Sequence, residues 1–415
     1  MLNYLMRVKN IVILVSLLSI LIAFNQLFLN VFTRANYYFT TQSFTNQEVV
    51  QPQKLYDLTW KAIAKDYFEP SLNHQDWNRW KNRYNGKIKT DADAEVAIDT
   101  MIASLNEPYT RFMSKKDFED LVTSVTSKIF GIGVNIYSNA GKVEIFNVMP
   151  STPADLAQLK QGDIIVSVNG KDTNGMNVSQ VATLVRGPEN SVVELVILRD
   201  GKKIAKKIKR KEIKIKNVKS SIIDNHIGYI QIISFMGGST PNEFMEALEN
   251  TKNTDSLIID LRGNTGGLLD NAVFIANRFI NQGEIVEIIY RNGHKKSIEA
   301  KSDEKILNKP VVLLVNGASA SASEIFSGAL KDYKKATIVG RKTFGKGLVQ
   351  KVVPLPNQTG VNVTVARYLT PNGTDIHKMG IEPDYIVGNE YDFNLNGVKK
   401  DLQLEKAKEI LNAKN

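Results

Sequence analysis

Three serines lie within five residues at the end of an apolar run. Val311–Val315 leads into Asn316-Gly-Ala-Ser-Ala-Ser-Ala-Ser-Glu324, and a helical pattern follows. A strand–turn–helix junction suits a nucleophile, because the first helical N–H groups are unpaired and the positive end of the helix dipole favours developing negative charge. Ser319 stands where an N-cap belongs, Ser323 falls in the first turn, and Ser321 lies between them, flanked by alanines that leave room for a substrate. On residue type alone any of the three can be a cap or a packing residue.

A serine nucleophile needs a base. The four histidines, His74, His226, His294 and His377, occupy no obvious site loop. A lysine serves if burial lowers its pKa. Lys346, in Thr343-Phe-Gly-Lys-Gly-Leu-Val-Gln350, has glycines on both sides for close backbone packing, and Phe344 and Leu348 as candidates to desolvate its amine. Gln350 is neutral, so it can orient the amine without holding the proton on it. The same lysine fits a rival pattern. Gly340-Arg-Lys-Thr-Phe-Gly-Lys346 matches G-x-x-x-x-G-K after an apolar strand, and Leu257-Ile-Ile-Asp-Leu261 mimics a magnesium-holding strand. Against a P-loop-like nucleotide hydrolase, Gly347 replaces the metal-binding Ser or Thr, and the residues after it read as a strand ending at Pro354.

These residues must be positioned by folded elements. Residues 53–122 carry helical periodicity, with Thr90 or Asp91 as a cap and a break at Asn106-Glu107-Pro108. Residues 129–216 form a mostly β module of short strands and Gly, Pro, Asn and Asp turns, with short helices near 153–159 and 178–185. Residues 226–387 alternate strand and helix, which implies a mainly parallel sheet, and a helix over 399–412 closes the chain. The run from Lys202 to Lys216 reads as one strand with a wet face leading out of the β module.

Composition narrows the chemistry. The 415 residues suit two or three domains. There is no cysteine, which excludes disulfides, Cys-ligated zinc, iron–sulfur clusters and a thiol nucleophile. The net charge of +10 is small against 53 basic and 43 acidic residues, and no aromatic interleaving supplies a stacking platform for nucleic acid. Residues 11–24 are an apolar run preceded by Arg7 and Lys9, and the hydrophobic stretch to Phe32 is long enough to span a bilayer. Residues 1–35 therefore read as a signal anchor, with a cleaved signal peptide as the alternative, and everything after them as exported.

Taken in order, the motifs resemble the carboxy-terminal processing peptidases. The resemblance rests on Asn316 to Ile325, Thr343 to Gln350, Asp260-Leu-Arg-Gly-Asn-Thr-Gly-Gly267, Ala366 to His377, Gly380-Ile-Glu-Pro-Asp384 and Asn106-Glu-Pro-Tyr-Thr-Arg-Phe112. The last carries Glu107 where the family motif has Asp. Ile129-Phe-Gly-Ile-Gly-Val134, Pro150 to Ala154 and Gly162 to Gly170 resemble a PDZ carboxylate-binding loop and core.

The resemblance implies an α/β and β multidomain fold: an N-terminal helical domain (36–124), an inserted PDZ domain (125–216), a protease core of the ClpP/crotonase-like type (217–390) and a helical tail (391–415). It implies Ser321 as nucleophile, Lys346 as base, Gln350 as its orienting partner, and an oxyanion hole from the N–H of Ala322 and of Gly267 or Gly266. Substrate tails would be held by Phe130, Gly131, Ile132 and Gly133, with Arg186 either coupling the PDZ domain to the site or simply a surface turn. No metal, cofactor, nucleotide or nucleic acid is expected. The partners are C-terminal tails of proteins, and a membrane through residues 11–32, on the lumenal, periplasmic or cell-surface side. Trp60, Asp66-Tyr-Phe68, Leu72 to Trp77 and Arg83-Tyr84 resemble the photosynthetic branch, which trims the photosystem II reaction-centre protein precursor. The alternative is a catalytically silent PDZ tail-binding protein.

Overall fold

The computed structural model describes residues 48–126, 128–139, 141–301, 307–388, 391–393 and 399–413. The expected anchor, 11–32, lies outside them. Among the described residues no helix is long and apolar enough to cross a membrane. The chain divides into two compact units.

The first unit gathers the chain up to Glu119, Ile280–Glu304 and Gly345–Gly380. Its helices include Pro52–Asp66 and Asp91–Ala103. The second starts where Thr90 and Asp93 form a reciprocal cap, each side chain accepting from the other's backbone N–H. Its buried face (Ala94, Ile98, Met101) shares one core with Leu55 and Ile63 of the first helix and with Leu355, Val361 and Val363 of the neighbouring sheet. The helical region thus packs on a sheet drawn from distant chain. That antiparallel sheet runs Arg111–Met113, Thr359–Leu369, Glu284–Tyr290, Lys295–Glu299, with Leu348–Leu355 also paired to Thr359–Leu369. A bulge between Val349 and Gln350 sets Gln350 opposite Thr364.

The second unit comprises Asp120–Phe279, Lys305–Phe344 and Ile381–Asn415. One six-stranded sheet runs Val218–Ile223, Ile227–Ile232, Ser256–Asp260, Val311–Val315, Thr337–Gly340, Tyr385–Ile386, parallel from the second strand onward. Every residue of Ser256–Asp260 and Val311–Val315 is buried, which is why both read as unbroken apolar runs. The closing helix Leu402–Asn412 seats Ala407 and Leu411 against Ile258, Val312 and Leu314.

The β module in this unit orders its strands Val134–Asn139, Lys142–Val148, Ile164–Val168, Val192–Arg199, Lys202–Lys209, with Lys171–Asp172 attached and the helix Val178–Val185 packed on them. Arg199 clamps Asp163 through two bonds of 2.6 and 2.7 Å at the base of this module. The lysine run departs from expectation. It is two strands, Lys202–Lys209 and Lys211–Lys214, parted at Arg210. That guanidinium is buried, donating to the carbonyls of Leu184, Val185 and Val192 and to Ser191 Oγ. Turning one arginine inward to hold the end of a helix breaks the alternation that a single strand requires.

Candidate active site

The candidate residues divide between the two units. In the second unit, the fully buried strands Ser256–Asp260 and Val311–Val315 run side by side and deliver two turns to the same end of the sheet. Three hydroxyls distinguish the serines there. Ser319 Oγ donates to Leu261 O (2.8 Å) and accepts from Asn316 N–H (3.0 Å). Ser323 Oγ donates to Asn264 O (2.9 Å). Both serines are fully buried, so their hydroxyls tie the serine turn to the Asp260–Gly267 turn. Ser321 alone is partly exposed.

Ser321 also has φ 56° and ψ −116°, a backbone conformation that side-chain-bearing residues rarely adopt. It immediately precedes the helix Ala322–Asp332. What holds it there is Glu324, which is completely buried. Glu324 Oε2 accepts the Ser321 N–H (2.9 Å), and Oε1 accepts the Thr343 hydroxyl (2.6 Å). Thr343 Oγ1 in turn accepts the N–H of Ile381 (2.7 Å). Glu324 and Thr343 are not singled out by the sequence, although an acidic residue in the first turn of this helix is a visible signal.

The glycine turn packs against this serine. A Cβ on Gly266 would come within 2.6 Å of Ala320 O and 2.9 Å of Ala322 N, and one on Gly267 within 2.3 Å of Met236 N. Both positions therefore require glycine, and both have positive φ. Their N–H groups differ. Gly266 donates to Asn264 Oδ1 (2.9 Å), so it is already committed. Among the described residues no acceptor meets the N–H of Gly267 or of Ala322.

Beneath the turn, Asp260 and Arg262 form a buried ion pair shared with Asp401. Burial alone would lower the Arg262 pKa, but hydrogen bonds to Asp260 and Asp401 more than offset it and hold the guanidinium charged. Tyr229 donates to Asp260 Oδ2 (2.6 Å), and burial followed by the Asp260 charge pushes its hydroxyl pKa up. The aspartate of this motif is thus scaffold. Asp260→Ala is expected to destabilise by about 1–3 kcal/mol, because Arg262 keeps only Asp401 and the Tyr229 hydroxyl loses its acceptor. Urea unfolding measures it.

In the first unit, Lys346 begins the ribbon that becomes Leu348–Leu355. Its backbone is gripped on both sides: Lys378 N–H donates to Gly345 O (2.8 Å), Tyr368 N–H to Gly347 O (3.0 Å) and the Tyr368 hydroxyl to Lys346 O (2.8 Å). A Cβ on Gly347 would meet His377 N at 2.8 Å, so the flanking glycine is a packing requirement. The Lys346 side chain is partly buried, with Nζ 4.8 Å from the centre of the Tyr109 ring. Leu348 is buried as expected, but Phe344 is 54% exposed, so the aromatic cover comes from Tyr109. Tyr109 belongs to the Asn106–Phe112 motif, and nothing in its sequence position pointed to the lysine. Gln350 Nε2 reaches Thr364 Oγ1 at 3.4 Å. The nucleotide-hydrolase pattern fails on the fold. The residues after Lys346 form a strand, so no helix N-terminus faces a phosphate.

The predicted tail-binding residues lie in the β module. Phe130–Gly133 link Lys128–Gly131 to the edge strand Val134–Asn139. Gly133 has φ 87° and lies against Thr152, so its backbone conformation and packing both exclude a side chain. Ile132 is buried in the module's core, leaving only its backbone for a ligand. The Phe130 carbonyl accepts the Gly187 N–H (3.4 Å), joining the loop to the end of Val178–Val185. Arg186 is half exposed, its guanidinium 3.9 Å from Asp120.

Comparison with known proteins places this geometry. A family model described as peptidase family S41 matches residues 226–387, and a PDZ-domain model matches residues 144–199. The chain is 35% identical over 348 residues to a carboxyl-terminal-processing protease of Synechocystis sp., covering 81% of both chains. It is 37% identical over 307 residues to the carboxy-terminal processing protease CtpA of Bacillus subtilis, covering 73% of this chain and 66% of that one. Among solved structures it is similar to a photosystem II D1 C-terminal processing protease, with 32% identity, a TM-score of 0.54, and coverage of 84% of this chain and 97% of that one.

Proposed function

This chain is a peptidase of family S41 and belongs to the carboxyl-terminal-processing proteases, and from that premise we propose that it cuts through a Ser321–Lys346 dyad. The observation that carries the reading is the setting of Ser321, partly exposed on a strained backbone at the helix start, between two fully buried serines that tie its turn to the Asp260–Gly267 turn. Ser321 attacks the carbonyl carbon of the scissile peptide. Lys346 takes the hydroxyl proton and returns it to the leaving amine, and water then hydrolyses the acyl-enzyme. The N–H groups of Ala322 and Gly267 receive the oxyanion. Gly266 is set aside because its N–H is committed to Asn264. Gln350 accepts from the lysine amine and orients it.

The PDZ domain presents the substrate. An incoming tail pairs with the edge strand Val134–Asn139, its terminal carboxylate lies against the backbone of Phe130–Gly133, and its last side chain enters the space between that strand and Val178–Val185. Gly131→Asp is expected to weaken binding of an apolar-ended peptide by at least about tenfold, since like charge meets the carboxylate. Fluorescence anisotropy with the same peptide amidated at its C-terminus is the control. Equal binding of free-acid and amidated peptides removes the carboxylate role.

The substrate we assign is the C-terminal extension of the photosystem II reaction-centre D1 precursor, met on the exported side of a membrane that residues 11–32 anchor. Support comes from the similarity to the Synechocystis protease and to the photosystem II D1 C-terminal processing protease structure. Incubating the protein with a synthetic D1 tail and an unrelated apolar tail, and weighing the products, tests it. Cleavage of the unrelated tail alone overturns the substrate and leaves the peptidase intact. Recovery of the native protein in an alkaline wash of membranes, with a new N-terminus beyond residue 32, overturns the anchor.

A further inference from the structure

For the Lys346 amine to keep its lone pair for the serine proton, Gln350 must face it with the acceptor end of its amide, and an amide presents a donor on its other side. Something must fix which end faces which way. Gln350 stands opposite Thr364, with Nε2 3.4 Å from its hydroxyl oxygen. Thr364 is fully buried, and its single hydroxyl proton goes to Glu107 Oε2 at 2.9 Å. Glu107 also accepts from Tyr109 N–H (2.6 Å), Thr110 N–H (2.9 Å) and the Thr110 hydroxyl (2.8 Å). The Thr110 oxygen accepts the Thr364 N–H (3.1 Å), so its own proton is directed to Glu107 as well. All of these residues lie in the first unit.

We propose that Glu107 is a positioning residue for the general base: as an acceptor it draws the Thr364 proton, leaves the Thr364 oxygen to accept from Gln350 Nε2, and thereby turns Gln350 Oε1 toward Lys346. The same carboxylate holds the backbone of Tyr109, whose ring centre lies 4.8 Å from Lys346 Nζ. This rests on the dyad reading above. Glu107→Gln keeps the shape but offers a donor in place of one acceptor. Its amide can donate to Thr364, whose proton then passes to Gln350 Oε1 and turns the Gln350 N–H groups toward the lysine. Glu107→Asp keeps an acceptor-only group.

The test is steady-state cleavage of a C-terminal peptide by the full chain, with Lys346→Ala as reference and unfolding midpoints as the folding control. E107Q is expected to lower kcat by about 10²-fold with KM unchanged, the scale of a misaligned catalytic group, and E107D to lose far less. Should E107Q not fold, Thr364→Ser and Thr364→Val give the same contrast: serine preserves the hydroxyl relay and keeps kcat, valine removes it at the same volume and loses kcat. An unchanged kcat in E107Q or T364V, or E107D as damaged as E107Q, overturns the proposal while Lys346→Ala is inactive. Activity in Lys346→Ala overturns the dyad itself.

Discussion

Ser321→Ala and Lys346→Ala are each expected to lower kcat on a C-terminal peptide by at least about 10³-fold, leaving only what binding and oxyanion stabilisation supply. Lys346→Arg is expected to be equally inactive, because an arginine beside Tyr109 stays protonated at working pH and cannot take the serine proton. That third variant separates proton transfer from charge placement. Single-turnover cleavage read by mass is the measurement, with unfolding curves beside it. Turnover in Lys346→Arg above a tenth of wild type would show that the lysine acts through its charge alone. Ser321 adds a second readout. Its backbone strain is worth about 1–3 kcal/mol, and glycine adopts positive φ at no steric cost. Ser321→Gly is therefore expected to be inactive yet to unfold later than Ser321→Ala, by up to a few kcal/mol.

Glu324→Ala is expected to be damaging on two counts. Glu324 is completely buried, and one oxygen holds the Ser321 N–H while the other holds Thr343. Hydrogen bonds to a charged group contribute about 1.5–3 kcal/mol each, so losing both costs about 3–6 kcal/mol. The serine turn is also released from its strained conformation, and a nucleophile displaced by about 1 Å loses about 10²-fold in rate. Thr343→Val separates the two effects, since it removes one of the bonds to Glu324 and leaves the bond to Ser321. It is expected to lose stability with most activity kept. Equal activity in Glu324→Ala and wild type would remove Glu324 from the geometry of the nucleophile.

Much of this arrangement was legible before any coordinates. The strand 311–315, the strand that follows Gly347 and the helix 178–185 fall where periodicity and turn residues put them. Those segments are legible because burial of one face, or of both, writes itself into local residue order. The sheet that joins Arg111–Met113 to Thr359–Leu369 was not, because its partners are about 250 residues apart and no local pattern records who pairs with whom. The serines show the same limit. Ser319, Ser321 and Ser323 have near-identical neighbours, and it takes the fold, through burial, the positive φ of Ser321 and the bonds to Leu261 and Asn264, to tell them apart. Gly266 and Gly267 were likewise equivalent in sequence, and a single acceptor, Asn264 Oδ1, makes them different. Tyr109 and Glu107 sit in a motif recognised as a whole, but their meeting with Lys346 and Thr364 is a property of the folded sheet. The lysine run misled because a charge count cannot show that Arg210 turns inward.

The first unit is discontinuous, and that bears on when the enzyme exists as an enzyme. Arg111–Met113 waits for Asn362, Val361 and Gly360 before its edge is paired, and Gln350 waits for Thr364. Closing so long a loop costs entropy that is recovered only once the contacts form, so such pairings come late in folding. A ribosome or translocon that has delivered the serine turn has not yet delivered the strand that seats the lysine's neighbours. Chain order therefore sets the sequence of assembly: a chain stopped after the serine turn and before Thr359–Leu369 would carry the proposed nucleophile without the strand that supports the proposed base.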